Sequence, residues 1–165
     1  MNPLSQSVFR CEECNETVNE KDTFCANCGA MFLENQFCAL HDTPVEGVCV
    51  ICFKLCCRIC GKKENGIFLC NEHWLYEIYE GMARIWGSTD NVQAQFVVNL
   101  LEQAGFHPFL YSMRFNPGAD IVSINKIYLN YGEHPICELK VLVPFREVLK
   151  AEQVLKEADS AFEFL

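Results

Sequence analysis

Ten of the twelve cysteines and two of the four histidines in this 165-residue chain fall into six pairs of the form Cys-x2-Cys or Cys-x2-His. The pairs are Cys11/Cys14, Cys25/Cys28, Cys38/His41, Cys49/Cys52, Cys57/Cys60 and Cys70/His73. Two residues between ligands let a tight knuckle aim both side chains at one tetrahedral metal. Twelve such ligands are enough for three closed four-ligand sites. A disulfide framework is the competing reading, because small secreted domains are also cysteine-dense. Three features favour metal. Met1 to Arg10 has no apolar core and no basic start of the kind a secretory leader needs. Disulfide geometry does not suit neighbours within one knuckle. Histidine stands in for cysteine at pair positions, which serves a metal and not a disulfide. Three zinc ions are therefore expected, with iron the rival at the all-cysteine site, since tetrahedral sulfur suits both.

The formal charge of -9 makes general nucleic-acid binding an unlikely use of this chain, because it lacks an overall basic footprint. A local basic patch of Lys54, Arg58, Lys62 and Lys63 is the exception, and a solvated surface around metal knuckles is its simpler reading. Half of the residues are apolar, yet no apolar run approaches a membrane span; Val48 to Phe53 is too short. All ten paired cysteines precede residue 80, and only Cys137 follows it. The early part is short and irregular, so its folding energy must come largely from metal. The later part has long periodic apolar stretches that can form their own core.

Cys11-Glu-Glu-Cys14, ten residues, then Cys25-Ala-Asn-Cys28-Gly29 forms one four-cysteine site. Gly29 and Asn15 follow the two knuckles, where left-handed backbone is often required. Phe24 and Phe32 flank the second knuckle and are expected to cover the site. Residues 1–34 resemble the short zinc-ribbon modules common in bacterial and archaeal proteins.

The next ligands run Cys38-x2-His41, seven residues, Cys49-x2-Cys52, four residues, Cys57-x2-Cys60, nine residues, Cys70-x2-His73. Consecutive pairing would group Cys38/His41 with Cys49/Cys52, and Cys57/Cys60 with Cys70/His73. Interleaved pairing would group Cys38/His41 with Cys57/Cys60, and Cys49/Cys52 with Cys70/His73. Chain reach does not decide, since Cys52 to Cys57 spans up to roughly 17 Å. Residues 35–79 resemble the B-box zinc finger, whose pairing is interleaved, and that resemblance implies the second arrangement. The ending departs from the family, which has a shorter last gap and two histidines. A helix over Asn71 to Glu80 is expected to supply Cys70 and His73 from its first turn, ligands three apart sharing a helix face. Cys57 keeps the two-residue spacing to Cys60, so it is preferred to its neighbour Cys56, which is then a buried thiol.

Residues 80–165 read as an α+β domain. Met82 to Trp86 is a strand. Asp90 is the N-cap of a helix, with Gln93 completing a capping box. Its apolar face is Val92, Phe96, Val97, Leu100, Leu101 and Ala104, and Gly105 ends it. Phe109 to Met113 and Ile136 to Val143 are strands, with an extended excursion over Ile121 to Tyr131. Pro144 opens a second helix with Val148, Leu149, Ala151, Val154, Leu155 and Ala158 inward. The order β-α-β-β-α places both helices on one face of the sheet. Tyr111, Phe115 and Tyr128 fall on or near the uncovered face, where an apolar patch would mark self-association or partner docking. The strand before Thr89-Asp90-Asn91-Val92-Gln93-Ala94, the run Leu100-Leu101-Glu102-Gln103-Ala104-Gly105-Phe106, and Val141-Leu142-Val143-Pro144 followed by Ala151-Glu152-Gln153-Val154-Leu155 resemble a bacterial family of signal-transducing proteins. The resemblance implies a ferredoxin-like fold and a regulatory role, with a small-molecule ligand as one use.

No catalytic constellation is visible: no Gly-rich phosphate loop, no Gly-x-Ser-x-Gly and no His-Glu-x2-His. Cys137 reads as a core residue, and His107 and His134 as surface residues. The expected protein is cytoplasmic and non-enzymatic. It would use zinc modules to meet a protein partner, without membrane contact. The alternative is a nucleic-acid-associated regulator working through the ribbon or Lys54–Lys63. B-box analogy alone would suggest a ubiquitin-ligase-like role.

Overall fold

A computed structural model describes residues 9–112 and 138–162. The chain divides into two compact units, Met1–Tyr76 and Glu77–Leu165. The expected excursion over 121–131, Met113, Phe115, Tyr128, His134, Ile136 and Cys137 lie outside the described residues.

The first unit consists of three small antiparallel hairpins. β1 (Phe9–Arg10) pairs with β2 (Thr17–Val18), β3 (Gly47–Val48) with β4 (Leu55–Cys56), and β5 (Gly61–Glu64) with β6 (Ile67–Cys70). Asn65 and Gly66 close the β5–β6 hairpin with φ of 50° and 82°. Positive φ at both turn residues matches the twist of the flanking strands, which is why Asn-Gly suits this position.

One aromatic ring joins the three hairpins. Phe68 of β6 is 4% exposed. A Cβ on Gly29, Gly47 or Gly61 would lie 2.8, 2.5 or 2.6 Å from a Phe68 atom. Gly47 and Gly61 therefore leave the space that the ring fills, and Gly29 lets the backbone of Val48 and the Cβ of Phe68 come close. Backbone bonds run alongside: Phe68 N–H donates to Cys28 O (2.9 Å), Val48 N–H to Gly29 O (2.9 Å) and Val50 N–H to Phe68 O (3.1 Å). The first four-cysteine segment and the two later hairpins are thus packed into one body.

The second unit is a four-stranded antiparallel sheet with two helices. β7 (Ile78–Tyr79), β8 (Met82–Ser88), β9 (Phe109–Ser112) and β10 (Leu139–Pro144) lie in the order β7-β8-β10-β9. α1 spans Asn91–Gln103, and a short 3-10 turn, Phe145–Glu147, leads into α2, Val148–Phe162. Both helices touch β8, β10 and each other, so they share one face of the sheet. Ala83, Val141 and Val143 are fully buried on the helix side. No helix among the described residues is long and apolar enough to cross a membrane.

Several local expectations need correction. Asn71 to Glu80 forms turns and then β7, not a helix. Glu80 (φ 37°) and Gly81 (φ 83°) make a tight hairpin between Tyr79 and Met82, and pairing with β8 takes the strand out of any helical path. Asp90 caps α1 through Val92 N–H (2.7 Å) and Gln93 N–H (3.3 Å). The Asp90 N–H, however, is taken by Ser88 Oγ (3.0 Å) rather than by Gln93, so the capping box is not closed. The buried face of α1 is Ala94, Val97, Val98 and Leu101, while Val92 and Phe96 are exposed. His107 is tied at its backbone N–H and Nδ1 to Glu147 (2.8 and 2.9 Å).

The face away from the helices carries a polar cluster beside Leu142 and Phe109, while Phe115 and Tyr128 of the expected apolar patch lie outside the described residues. By register, Tyr79, Arg84, Lys140 and Tyr111 lie on it together. Glu77 accepts from Lys140 Nζ (2.7 Å), Tyr79 OH (3.0 Å) and Arg84 (3.2 Å), and Arg84 also pairs with Glu138. Tyr111 packs on Tyr79, centroids 5.1 Å apart. A side chain on Gly87 would collide with the Arg84–Glu138 pair.

Two predictions follow from this packing. Phe68→Ala should cost the first unit about 3–5 kcal/mol, the range for deleting a buried aromatic, seen as faster hydrogen exchange at Val48 and Val50. In the second unit, burial opposes the charged form of Glu77, but Lys140, Tyr79 and Arg84 hold its carboxyl below the ordinary value of 4.5. A lowered folded value means its stabilisation is present above the unfolded value and is lost as pH falls through the folded one. Thermal unfolding followed by helical circular dichroism should therefore lose stability as pH drops below 4.5. Glu77→Gln should flatten that dependence and lower stability at neutral pH.

Candidate metal centres

In five of the six knuckles the residue after the second ligand folds back on the first. Asn15 N–H donates to Cys11 O, Gly29 to Cys25 O, Asp42 to Cys38 O, Phe53 to Cys49 O and Gly61 to Cys57 O, at 2.8–3.0 Å. Asn15, Gly29, Asp42 and Phe53 have φ between 47° and 80°. Glycine and short polar residues reach this region readily, whereas a bulky residue there is strained. Phe53 is the bulky case, and its ring packs on Phe24 at 5.7 Å. Phe24 thus braces a knuckle of another site, and Phe32, expected to cover the ribbon, is 39% exposed.

The knuckles converge into three groups of four, each with its donor atoms within 4.8 Å of one another. The first is Cys11, Cys14, Cys25 and Cys28; the second Cys38, His41, Cys57 and Cys60; the third Cys49, Cys52, Cys70 and His73. The grouping of the later eight ligands is interleaved. The bond from Val50 N–H to Phe68 O goes with it, setting the Cys49/Cys52 knuckle against the end of β6 where Cys70 sits. The Cys57/Cys60 knuckle is left to meet Cys38 and His41. Without a helix, the turn after β6 still brings His73 back, its N–H donating to Cys70 O at 3.0 Å.

The spacing of the donors tests the fit of a metal. With metal–sulfur bonds of ~2.3 Å and metal–nitrogen bonds of ~2.05 Å, as for zinc, a tetrahedron has sulfur–sulfur edges of ~3.8 Å and sulfur–nitrogen edges of ~3.5 Å. Sulfurs lie 3.7 Å apart in Cys11–Cys28 and Cys14–Cys25, 3.6 Å in Cys38–Cys60, and 3.8 Å in Cys57–Cys60 and Cys52–Cys70. His41 Nδ1 is 3.6 Å from Cys38 and 3.5 Å from Cys57. His73 Nδ1 is 3.6 Å from Cys49 and 3.1 Å from Cys70. A disulfide would need ~2.0 Å between sulfurs, and the described cysteines form none. Each cluster can hold one metal ion.

Burial pushes the thiols of Cys25, Cys28, Cys52, Cys60 and Cys70 up, while neighbouring groups bring others toward the thiolate state that a metal requires. Burial raises the Cys14 thiol, but hydrogen bonds from the Glu16 backbone and the Asn27 amide (3.6 Å) bring it down to about 7. Bonds from the Leu40 backbone and His41 lower Cys38 to about 6. The Thr43 hydroxyl is buried without a well-aligned partner; it lies beside Cys57 and is the largest cause lowering that thiol. A hydroxyl left for sulfur to accept fits a thiolate. Asn27 and Thr43 support the ligands without any spacing motif to reveal them. Cys56 behaves differently: burial pushes its thiol up, and its sulfur turns to Lys54 O at 3.4 Å, outside all three clusters.

The basic patch is largely neutralised. Lys54 pairs with Glu72 (2.8 Å), Lys62 with Glu64 (2.8 Å) and Lys63 with Glu13, and Lys62 also lies over the Trp74 ring at 4.1 Å.

No protein-family profile, curated protein or solved structure matches this chain.

Because the first cluster shares no ligand with the others, Cys25→Ser should release one metal equivalent per chain and leave two. Elemental analysis of the purified variant beside the parent checks this. Loss of more than one equivalent would show that the clusters do not load independently.

Proposed function

We propose that the chain is a non-enzymatic zinc-binding interaction or regulatory protein whose three metal sites hold partner-binding surfaces in place. The observation that carries this reading is the closure of each cluster by four protein donors at tetrahedral spacing. A catalytic zinc keeps one position for water or substrate, and these sets leave none. Sulfur-rich tetrahedra favour zinc or iron. The two mixed cysteine–histidine sets tip the choice to zinc. Zinc in one four-thiolate and two three-thiolate sites would carry about -2, -1 and -1, deepening the acidity of the chain. Free cysteines throughout the described residues support a reducing, cytoplasmic setting.

The second unit is read as a ferredoxin-like regulatory domain of the signal-transducing type. β8, α1 and β9 form a unit with β10 inserted between its two strands, and β7 takes the outer place beside β8. That order supports the reading. A nucleic-acid-associated regulator is the alternative, and the pairing of Lys54, Lys62 and Lys63 with carboxylates counts against it.

The test combines composition with binding. The purified chain should contain about three zinc ions, as expected for twelve ligands in closed sets. A protein captured from a lysate of the source organism should be lost after chelation and regained on adding zinc. Chelation should also raise hydrogen exchange across residues 10–75 while sparing the second unit. Salt-dependent retention of the metal-loaded chain on DNA or RNA would overturn the reading in favour of the alternative.

A further inference from the structure

A groove of about 500 Å³ opens beside the first four-cysteine cluster, formed by residues 9–13, 18–20, 22 and 28–32 with Glu46, Lys63 and Phe68. This is within the ~300–1,000 Å³ of typical ligand sites. Its walls are of two kinds. Phe9 and Phe32 line it and are 41% and 39% exposed, large apolar rings left partly in water. Around them stand carboxylates. Glu13 is paired with Lys63, whereas Glu12, Glu20 and Glu46 have no ion-pair partner among the described residues. Cys11 and Cys28 belong to the same lining. Arg10 and Lys63 are its cations, against the carboxylates of Glu12, Glu13, Glu20, Asp22 and Glu46, so the apolar rings sit among an excess of negative charge.

We infer that this groove binds a short basic segment of a partner protein, one in which lysine or arginine alternates with a large apolar side chain. This rests on the reading of the chain as an interaction protein and names the chemistry of one partner. Electrostatic complementarity selects such a segment, because an acidic or neutral peptide would leave the rim carboxylates facing like charge or nothing. The apolar side chain buries against Phe9 and Phe32, which bare charge attraction would not require. The chain's own first eight residues are a poorer occupant, since they contain no lysine or arginine.

The test uses the full metal-loaded chain and three labelled octapeptides: Lys-Leu-Arg-Leu repeated twice, its acidic counterpart Glu-Leu-Asp-Leu repeated twice, and octalysine. Fluorescence anisotropy should show the first binding most tightly, with affinity falling as salt rises. The combined Glu12→Gln, Glu20→Gln and Glu46→Gln variant should weaken it about tenfold, the product of three partly screened charge contacts. Phe32→Ser should weaken the Lys-Leu-Arg-Leu peptide and leave octalysine unchanged. Metal content and helical signal matching the parent show that the variants remain folded. Equal binding of the acidic peptide, equal binding of octalysine, or no effect of either variant overturns the proposal. So does binding that requires deletion of residues 1–8, which would give the groove to the chain's own beginning. Failure in any of these ways, with chelation-sensitive partner capture intact, removes the groove and spares the wider reading. Loss of that capture removes the wider reading whatever the peptides do.

Discussion

Four donors held at the corners of a tetrahedron are the constraint on which the first unit depends. Its hairpins are two to four residues per strand, too short to be stable alone in water. The buried cluster of the ribbon is Cys11, Cys25 and Cys28, with Cys14, Val18 and Ala30 against it. A core built from ligands has little apolar surface besides the ligands themselves. Metal binding to such a unit is folding energy. The same geometry brings sulfurs to 3.6–3.8 Å, where four thiolates repel one another unless a cation sits among them.

Phe68 joins the three ligand-bearing pieces into one body. Its ring occupies the space left by Gly47 and Gly61, one from each later hairpin, and its Cβ lies against Gly29 after the Cys25/Cys28 knuckle. The backbone bonds on either side of it carry the ribbon onto the module and go with the interleaved pairing. Metal position and aromatic packing are coupled here: the knuckles aim correctly only if the strands meet around the ring. The groove beside the first cluster is a product of the same docking, since Phe68 and Glu46 of the module complete walls begun by the ribbon.

The second unit has a conventional core. Buried valines of β10, Ala83 of β8 and the inner faces of both helices supply it. Its other face holds Glu77 between Lys140 and Arg84, with Tyr79 and Tyr111 in contact. Partly buried charges of both signs meet there in one hydrogen-bonded cluster.

Sequence alone determined the chemistry. Two-residue spacing marks a candidate ligand pair whatever lies around it, so the twelve residues that converge in the three clusters were legible, as was the preference for Cys57 over Cys56. Asp90, Gly105 and the apolar repeats marked α1 and α2, because caps and periodicity are local signals. Tertiary structure decided what depended on distant partners. Both pairings of the later ligands satisfied chain reach, and only the fold, with its Val50–Phe68 bond, separated them. β7 could not be read because a two-residue strand has no periodicity and forms by pairing with β8. Val92 and Phe96 looked like core in a helical wheel, but the sheet meets α1 along Ala94, Val97, Val98 and Leu101. The lysines between 54 and 63 formed a basic patch in one dimension. Folding placed a carboxylate beside three of the patch's four cations, including one 50 residues away in the chain. Local spacing carries ligand identity and helix ends; which surfaces meet is a property of the assembled fold.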